Sequence, residues 1–294
     1  MAVRASPDET ASAVYLMSMG RAYPWTAATA PRPAPAWRSC HARHASTAEI
    51  IEGCDVPDLH IPASAGSHQS AFLAVPPVGD GPFPGVVVLQ DALGLTGTLR
   101  EHAERLAAAG YLSVAPALYS ARGGGPRCVA ATMRSMITGT GPVFDDIEAA
   151  RTWLVGREDC TGRVGVIGFC QGGGFALLSA ARHDYAAAAP NYGRVPDDAE
   201  RDLAGVCPVV ASFGGKDPSL RGHPERLEAA LTALGVEHDV HVYPDANHSF
   251  LEPVPAPLAV FGIGLHRPSA EDAWRRILRF FDTHLRGAAE RSAT

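Results

Sequence analysis

The chain has 294 residues, 46% of them hydrophobic and 19% charged, enough apolar material for one large core or two small ones. A net charge of −6 gives no electrostatic case for a nucleic-acid or anionic-membrane partner. No apolar run reaches the roughly 18 residues that a membrane-spanning helix needs, and no basic flank precedes an apolar stretch near the N-terminus, so neither a membrane anchor nor a secretory leader is expected.

Residues 1–48, rich in Ala, Pro and Arg and without a steady period, read as a poorly ordered extension that docks, if at all, through Trp25 or Trp37. Cys40, His41, His44 and Cys54 cluster in and just after it, but at no spacing that suits a zinc site, so no metal is expected. From residue 49 to 294 the pattern is that of one domain, alternating short apolar runs with helical periods. SAFLAVP (70–76), GVVVLQ (85–90) and YLSVAP (111–116) read as strands. TLREHAERLAAAG (98–110) and FDDIEAARTWLVG (144–156) carry apolar residues at helical spacing, the second with acids in its first turn. Then follow strand 163–168, helix 172–182, strand 185–193, buried strand 207–214, helix 224–235, strand 238–244 and helix 270–285. Repeated β-then-α order predicts a mostly parallel sheet covered by helices on both faces.

In such a sheet, functional residues collect past the carboxyl ends of strands. Cys170 follows VGVIG in the turn GFCQG, Asp217 follows VVASFGGK, and His248 follows VHVYPDAN. The order nucleophile, acid, histidine is that of an α/β-hydrolase triad. A cysteine on a strand-to-helix turn is thrust outward, and the helix N-terminus behind it favours thiolate. His248 then moves the proton and Asp217 orients the imidazole. Taken singly each residue has a plainer explanation: a buried core cysteine, a turn aspartate in GGKDP, one of 12 histidines. Their joint placement is what points to chemistry. The six cysteines form no C-x-x-C pair, so free thiols in a reducing cytoplasm are expected, and thiol redox chemistry at Cys170 lacks a resolving cysteine nearby in sequence.

GFCQGGGFAL, GGKDP and YPDANHSF together resemble the dienelactone hydrolase family of α/β-hydrolases, as does GVVVLQDALGLTGTLREHAERLAAAGYLSVAPALY. The resemblance spans residues 60–285. It implies an α/β-hydrolase fold of about eight strands and cofactor-free, metal-free hydrolysis of a small ester or lactone through a thioester on Cys170. It also implies oxyanion-binding N–H groups at Gln171 and Ala92, and a carboxylate near the resting thiol at Asp91, where family members usually carry Glu. Lactone-specific members carry an Arg, gripping a substrate carboxylate, where this chain has Glu252, which would repel such a substrate. Arg122, Arg127 and Arg134 are candidates for a second substrate-binding Arg. The Pro-rich stretch 251–272 is expected to form a pocket wall or lid, with Phe261, Ile263 and Leu265 lining an apolar acyl or ring pocket. Monomer and homodimer stay open. The alternative is a hydrolase-fold protein that binds a ligand with little catalysis, motivated by Asp91 and Glu252.

Overall fold

A computed structural model describes residues 59–254, 259 and 263–286. The extension 1–48, with Trp25, Trp37 and the Cys/His cluster, lies outside the described residues.

The first two strands, β1 (Leu59–Pro62) and β2 (His68–Ala74), form an antiparallel hairpin at one edge of an eight-stranded sheet ordered β1-β2-β4-β3-β5-β6-β7-β8. β2 runs antiparallel to β4 (Leu112–Pro116). From β4 onward every neighbour is parallel, through β3 (Phe83–Leu89), β5 (Cys160–Phe169), β6 (Ala187–Asn191), β7 (Val209–Gly214) and β8 (His238–Tyr243). The expected mostly parallel sheet is therefore present. β1, a four-residue edge strand, is the part that sequence pattern did not mark.

Helices fill the crossovers: α1 (Gly97–Ala108), α2 (Pro126–Thr138), α3 (Pro142–Val155), α4 (Gln171–Ala180), the single turn α5 (Ala199–Asp202), α6 (His223–Ala233) and α7 (Arg267–Leu285). Five match the periodic segments read from sequence. α2 does not: its inward face mixes buried polar Thr132 and Ser135 with half-buried Val129, Met133 and Met136, and Ile137 is exposed, which blurs the apolar stripe that marks a helix. α7 begins at Arg267, with Pro268 in its first turn, so the loop expected over 251–272 ends earlier than its Pro-rich composition suggests.

Covered strands read as continuous apolar runs because both faces are buried. Val86, Val87, Val88 and Leu89 of β3 are fully buried, each contributing about 1.5–3 kcal/mol of transfer free energy. β3 lies between β4 and β5 at the point where the strand order reverses. A crevice opens at the carboxyl ends of strands at such a point, which is where α/β sheets hold their ligands. Among the described residues, no helix is long and apolar enough to cross a membrane.

Candidate active site

Cys170 stands between the end of β5 and the first residue of α4, with φ 53° and ψ −116°. A non-glycine residue in this region is strained by about 1–3 kcal/mol and persists only where its surroundings fix it. The fixing is visible. The Cys170 N–H donates to the Asn191 carbonyl at 3.1 Å, and Asn191 Nδ2 donates to the Gly168 carbonyl at 3.2 Å. Gly168 and Gly172 let the turn close: a Cβ on Gly168 would overlap the Gly172 carbonyl, and one on Gly172 would overlap the carbonyls of Leu89 and Gln90. The turn thus projects the Cys170 side chain out of the sheet, half-buried, at the N-terminus of α4.

Two more strand ends meet it. The loops after β7 and β8 are tied by backbone hydrogen bonds, Gly215 N–H to the Tyr243 carbonyl at 2.7 Å and Lys216 N–H to the Ala246 carbonyl at 2.9 Å. This brings Asp217 Oδ2 to 2.6 Å from His248 Nδ1, and His248 Nε2 to 3.1 Å from Cys170 Sγ. Asp217 Oδ1 is occupied separately, accepting from the Ser219 N–H at 2.9 Å and the Ser219 hydroxyl at 2.6 Å. Burial works against the Asp217 charge, yet the bonds from His248 and Ser219 prevail and hold its carboxyl below the usual range. Burial likewise opposes a charged His248, but Asp217 and Cys170 outweigh it and lift the imidazole to about 10. The arrangement can accept, hold and return a proton at the thiol.

Asp91 sits two residues past β3. Its carboxylate accepts from the Leu93 N–H at 2.7 Å, while the thiol's hydrogen-bond partner is His248. Burial, and then the charge of Glu252, push the Asp91 carboxyl up to about 6. The loop that carries Asp91 and Ala92 is pinned from below: Gln171 Nε2 donates to the Asp91 carbonyl at 2.8 Å and to the Tyr119 hydroxyl at 2.6 Å, and Tyr119 donates to the Ala92 carbonyl at 3.1 Å. The backbone N–H groups of Gln171 and Ala92 have no protein acceptor among the described residues. Gln171 opens α4, so its N–H is one of those that a helix leaves unpaired.

Glu252 takes a different place from the one its position in the sequence suggests. It is buried, Oε1 accepting from the Tyr192 hydroxyl at 3.2 Å and Oε2 lying 3.6 Å from His102 Nε2. Arg127 and Arg134 are exposed on α2, and the Arg122 side chain and Phe261 lie outside the described residues. Ile263 and Leu265 are half-buried, in a segment tied to the histidine loop by Gly264 N–H to the His248 carbonyl at 2.9 Å and His266 N–H to the Phe250 carbonyl at 3.0 Å. Tyr119, Asn191, Tyr192, His102 and Ser219 were not singled out in the sequence. Of these Tyr119 and Tyr192 had a signal, since they follow β4 and β6 as Asp91 follows β3. No group of three His, Cys, Asp or Glu side chains among the described residues is placed to hold a metal ion.

The sequence model of the dienelactone hydrolase family matches residues 70–285. A protein of Escherichia coli (strain K12) named "Putative carboxymethylenebutenolidase" is 33% identical over 236 residues, covering 74% of this chain and 83% of that one. The crystal structure of a protein from Klebsiella pneumoniae, described as a "Putative Dienelactone Hydrolase", superposes with a TM-score of 0.64 at 28% identity, over 76% of this chain and 97% of that one. A dienelactone hydrolase-like promiscuous phosphotriesterase from metagenomic libraries superposes with a TM-score of 0.69 over 78% and 98%, and at 22% identity that likeness concerns the fold. With an α/β-hydrolase sheet beneath the site and the family's sequence pattern running through nearly all of the described chain, this protein is a hydrolase of the dienelactone hydrolase family.

Proposed function

We propose that the protein hydrolyses a small carboxylic ester or lactone through Cys170, His248 and Asp217, by way of a thioester. The carrying observation is the relay Asp217–His248–Cys170, with spacings of 2.6 and 3.1 Å, assembled from three separate strand ends. The imidazole takes the thiol proton at Nε2, and the thiolate attacks the carbonyl carbon. The developing oxyanion is met by the N–H groups of Gln171 and Ala92, each such donor contributing on the order of 3–4 kcal/mol to the barrier. As the C–O bond breaks, the leaving alkoxide takes the proton from His248 and leaves the acyl group on Sγ. A water molecule, deprotonated by His248, then attacks the thioester; the acid departs and the proton returns to the thiol pair. Asp217 supplies no proton. It keeps the other imidazole nitrogen protonated and stabilises the imidazolium.

Asp91 enters this reaction through its charge beside the site, and its side-chain bond to Leu93 leaves the thiol to His248. Half-buried Ile263 and Leu265, in the stretch tied to the histidine loop by the Gly264 and His266 N–H groups, support an apolar acyl or ring pocket. The free thiol at Cys170 is the form that a reducing compartment preserves, which supports a cytoplasmic setting. The catalytic unit is residues 49–294, with 1–48 as an extension. The test is turnover of p-nitrophenyl acetate by wild type, Cys170→Ser and Cys170→Ala. The alanine variant is expected to lose kcat by about 10³-fold or more, keeping only what the oxyanion donors and binding supply. Undiminished hydrolysis by that variant overturns the reading.

A further inference from the structure

Behind the thiol and imidazole lies a buried polar cluster that the proposed reaction does not use. Glu252, on the turn after the His248 loop, has its side chain 6% exposed. A carboxylate so sheltered is costly unless it is paired. Its two partners come from opposite sides of the site. Tyr192, at the end of β6, donates its hydroxyl to Oε1 at 3.2 Å, and its ring stands edge-on to the His248 ring at a centroid distance of 5.3 Å. His102, from α1, brings Nε2 to 3.6 Å from Oε2, and its ring stacks on Phe169 at 4.3 Å and 26°. Phe169 is the residue immediately before the nucleophile. One carboxylate therefore touches the supports of both reacting groups.

We propose that Glu252 is a positioning residue of the active site: it holds Tyr192 against the catalytic imidazole, and its negative charge, with His102 beside it, bears on Asp91 and on the Cys170–His248 pair. This rests on the thiol-hydrolase reading above. Tyr192 has φ 37°, a conformation that a tyrosine keeps only when tied down, and the Glu252 bond is one of its ties. The titratable groups around Glu252 are Asp91 from the turn after β3, His102 from α1 and Tyr192 after β6, and Tyr192 in turn faces Cys170 on the β5 turn and His248 on the loop after β8. α7 contributes the Trp274 ring, 5.3 Å from His102 and under the Arg105 guanidinium. Burial, and after it the charge of Glu252, raises the proton affinity of Asp91. Glu252, Cys170 and Asp91 all lie within electrostatic reach of the Tyr192 hydroxyl.

Glu252→Gln separates positioning from charge, because the amide keeps an acceptor oxygen for Tyr192 and removes the charge. Tyr192→Phe does the reverse. Both are measured beside wild type and Cys170→Ala, for kcat and KM on p-nitrophenyl acetate and for the pH dependence of Cys170 alkylation by iodoacetamide. Tyr192→Phe is expected to lower kcat on the order of tenfold with KM nearly unchanged, because a loosened imidazole misplaces the base. Glu252→Gln is expected to move the alkylation midpoint down by about half a pH unit or more. Wild-type kcat in Tyr192→Phe overturns the positioning role, and an unmoved alkylation midpoint in a folded Glu252→Gln overturns the charge role. Should Glu252→Gln not fold, Tyr192→Phe decides the proposal alone. An active Cys170→Ala variant defeats the thiol reading itself, whereas an inactive one beside wild-type-like Glu252→Gln and Tyr192→Phe defeats only this inference.

Discussion

Replacing Asp217 with asparagine changes one atom and should reverse the polarity of the whole relay. Asp217 Oδ1 accepts two hydrogen bonds from Ser219, from its N–H at 2.9 Å and its hydroxyl at 2.6 Å. In the asparagine variant the amide oxygen keeps that place, and the amide nitrogen is turned toward His248 Nδ1 at the former Oδ2 position, 2.6 Å away in the native protein. An N–H there donates, so Nδ1 must accept, and the imidazole proton moves to Nε2. Nε2 then presents a hydrogen to Cys170 Sγ where it should present a lone pair. The base is lost while the turn that Ser219 stabilises stays intact. The imidazole also loses the carboxylate that helps lift it to about 10. Where an aspartate orients a catalytic imidazole in this way, its amide analogue costs about 10³–10⁴ in kcat, or about 4–5.5 kcal/mol. Oxyanion donors and substrate binding are untouched, so KM should hold. The assay is steady-state hydrolysis of p-nitrophenyl acetate from about pH 6 to 9, with urea unfolding to show that the variant keeps its fold. A folded variant with less than about a tenfold loss in kcat refutes the orientation argument.

Two other substitutions test parts of the same site. Asp91→Asn should raise stability at neutral pH, because a carboxyl lifted from 3.8 to about 6 binds its proton more tightly folded than unfolded. Its ionisation therefore costs stability as pH rises from about 4 to about 6, a cost fully present above that window. A fully sheltered group would carry about 3 kcal/mol; partial exposure reduces it to about 1–2 kcal/mol. Urea midpoints should separate at about pH 7.5 and converge near pH 4, and equal midpoints at the higher pH would count against the burial argument. Tyr119→Phe should cut kcat by about tenfold with little change in KM, since it frees the Ala92 carbonyl and loosens one oxyanion donor without removing it. Unchanged kcat would show that Gln171 alone holds the loop.

Much of the fold was legible because a covered parallel sheet writes itself as apolar runs: β7 is buried throughout, β3 from Pro84 onward and β5 from Val164 onward. The relay was legible because each member sits past its own strand, where topology gathers functional groups. Helix α2 was not, since its inward face mixes polar Thr132 and Ser135 with only half-buried Val129, Met133 and Met136 and leaves Ile137 exposed. The second layer was hidden for a different reason. His102, Tyr192 and Glu252 lie on three elements far apart in sequence, and each alone looks like an ordinary residue of its helix, strand end or loop. Glu252 is the instructive case. Its distance from His248 along the chain suggested a group facing substrate, but the turn closed by the Glu252 N–H to the Ser249 carbonyl at 3.1 Å swings it inward to Tyr192. Spacing fixes where a residue is attached, and local backbone conformation decides which way it faces.

The central claim is that sulfur of Cys170 carries the acyl group. Intact-protein mass spectrometry of the enzyme, quenched in acid within the first turnovers of p-nitrophenyl acetate, tests it most directly. One acetyl group is predicted on the wild-type chain, mapped to the peptide that contains Cys170 and removed by hydroxylamine at neutral pH as a thioester is. The same quench on Cys170→Ala should show none. Hydrolysis that proceeds with the acetyl group on another residue, or an equal adduct in Cys170→Ala, would contradict the account.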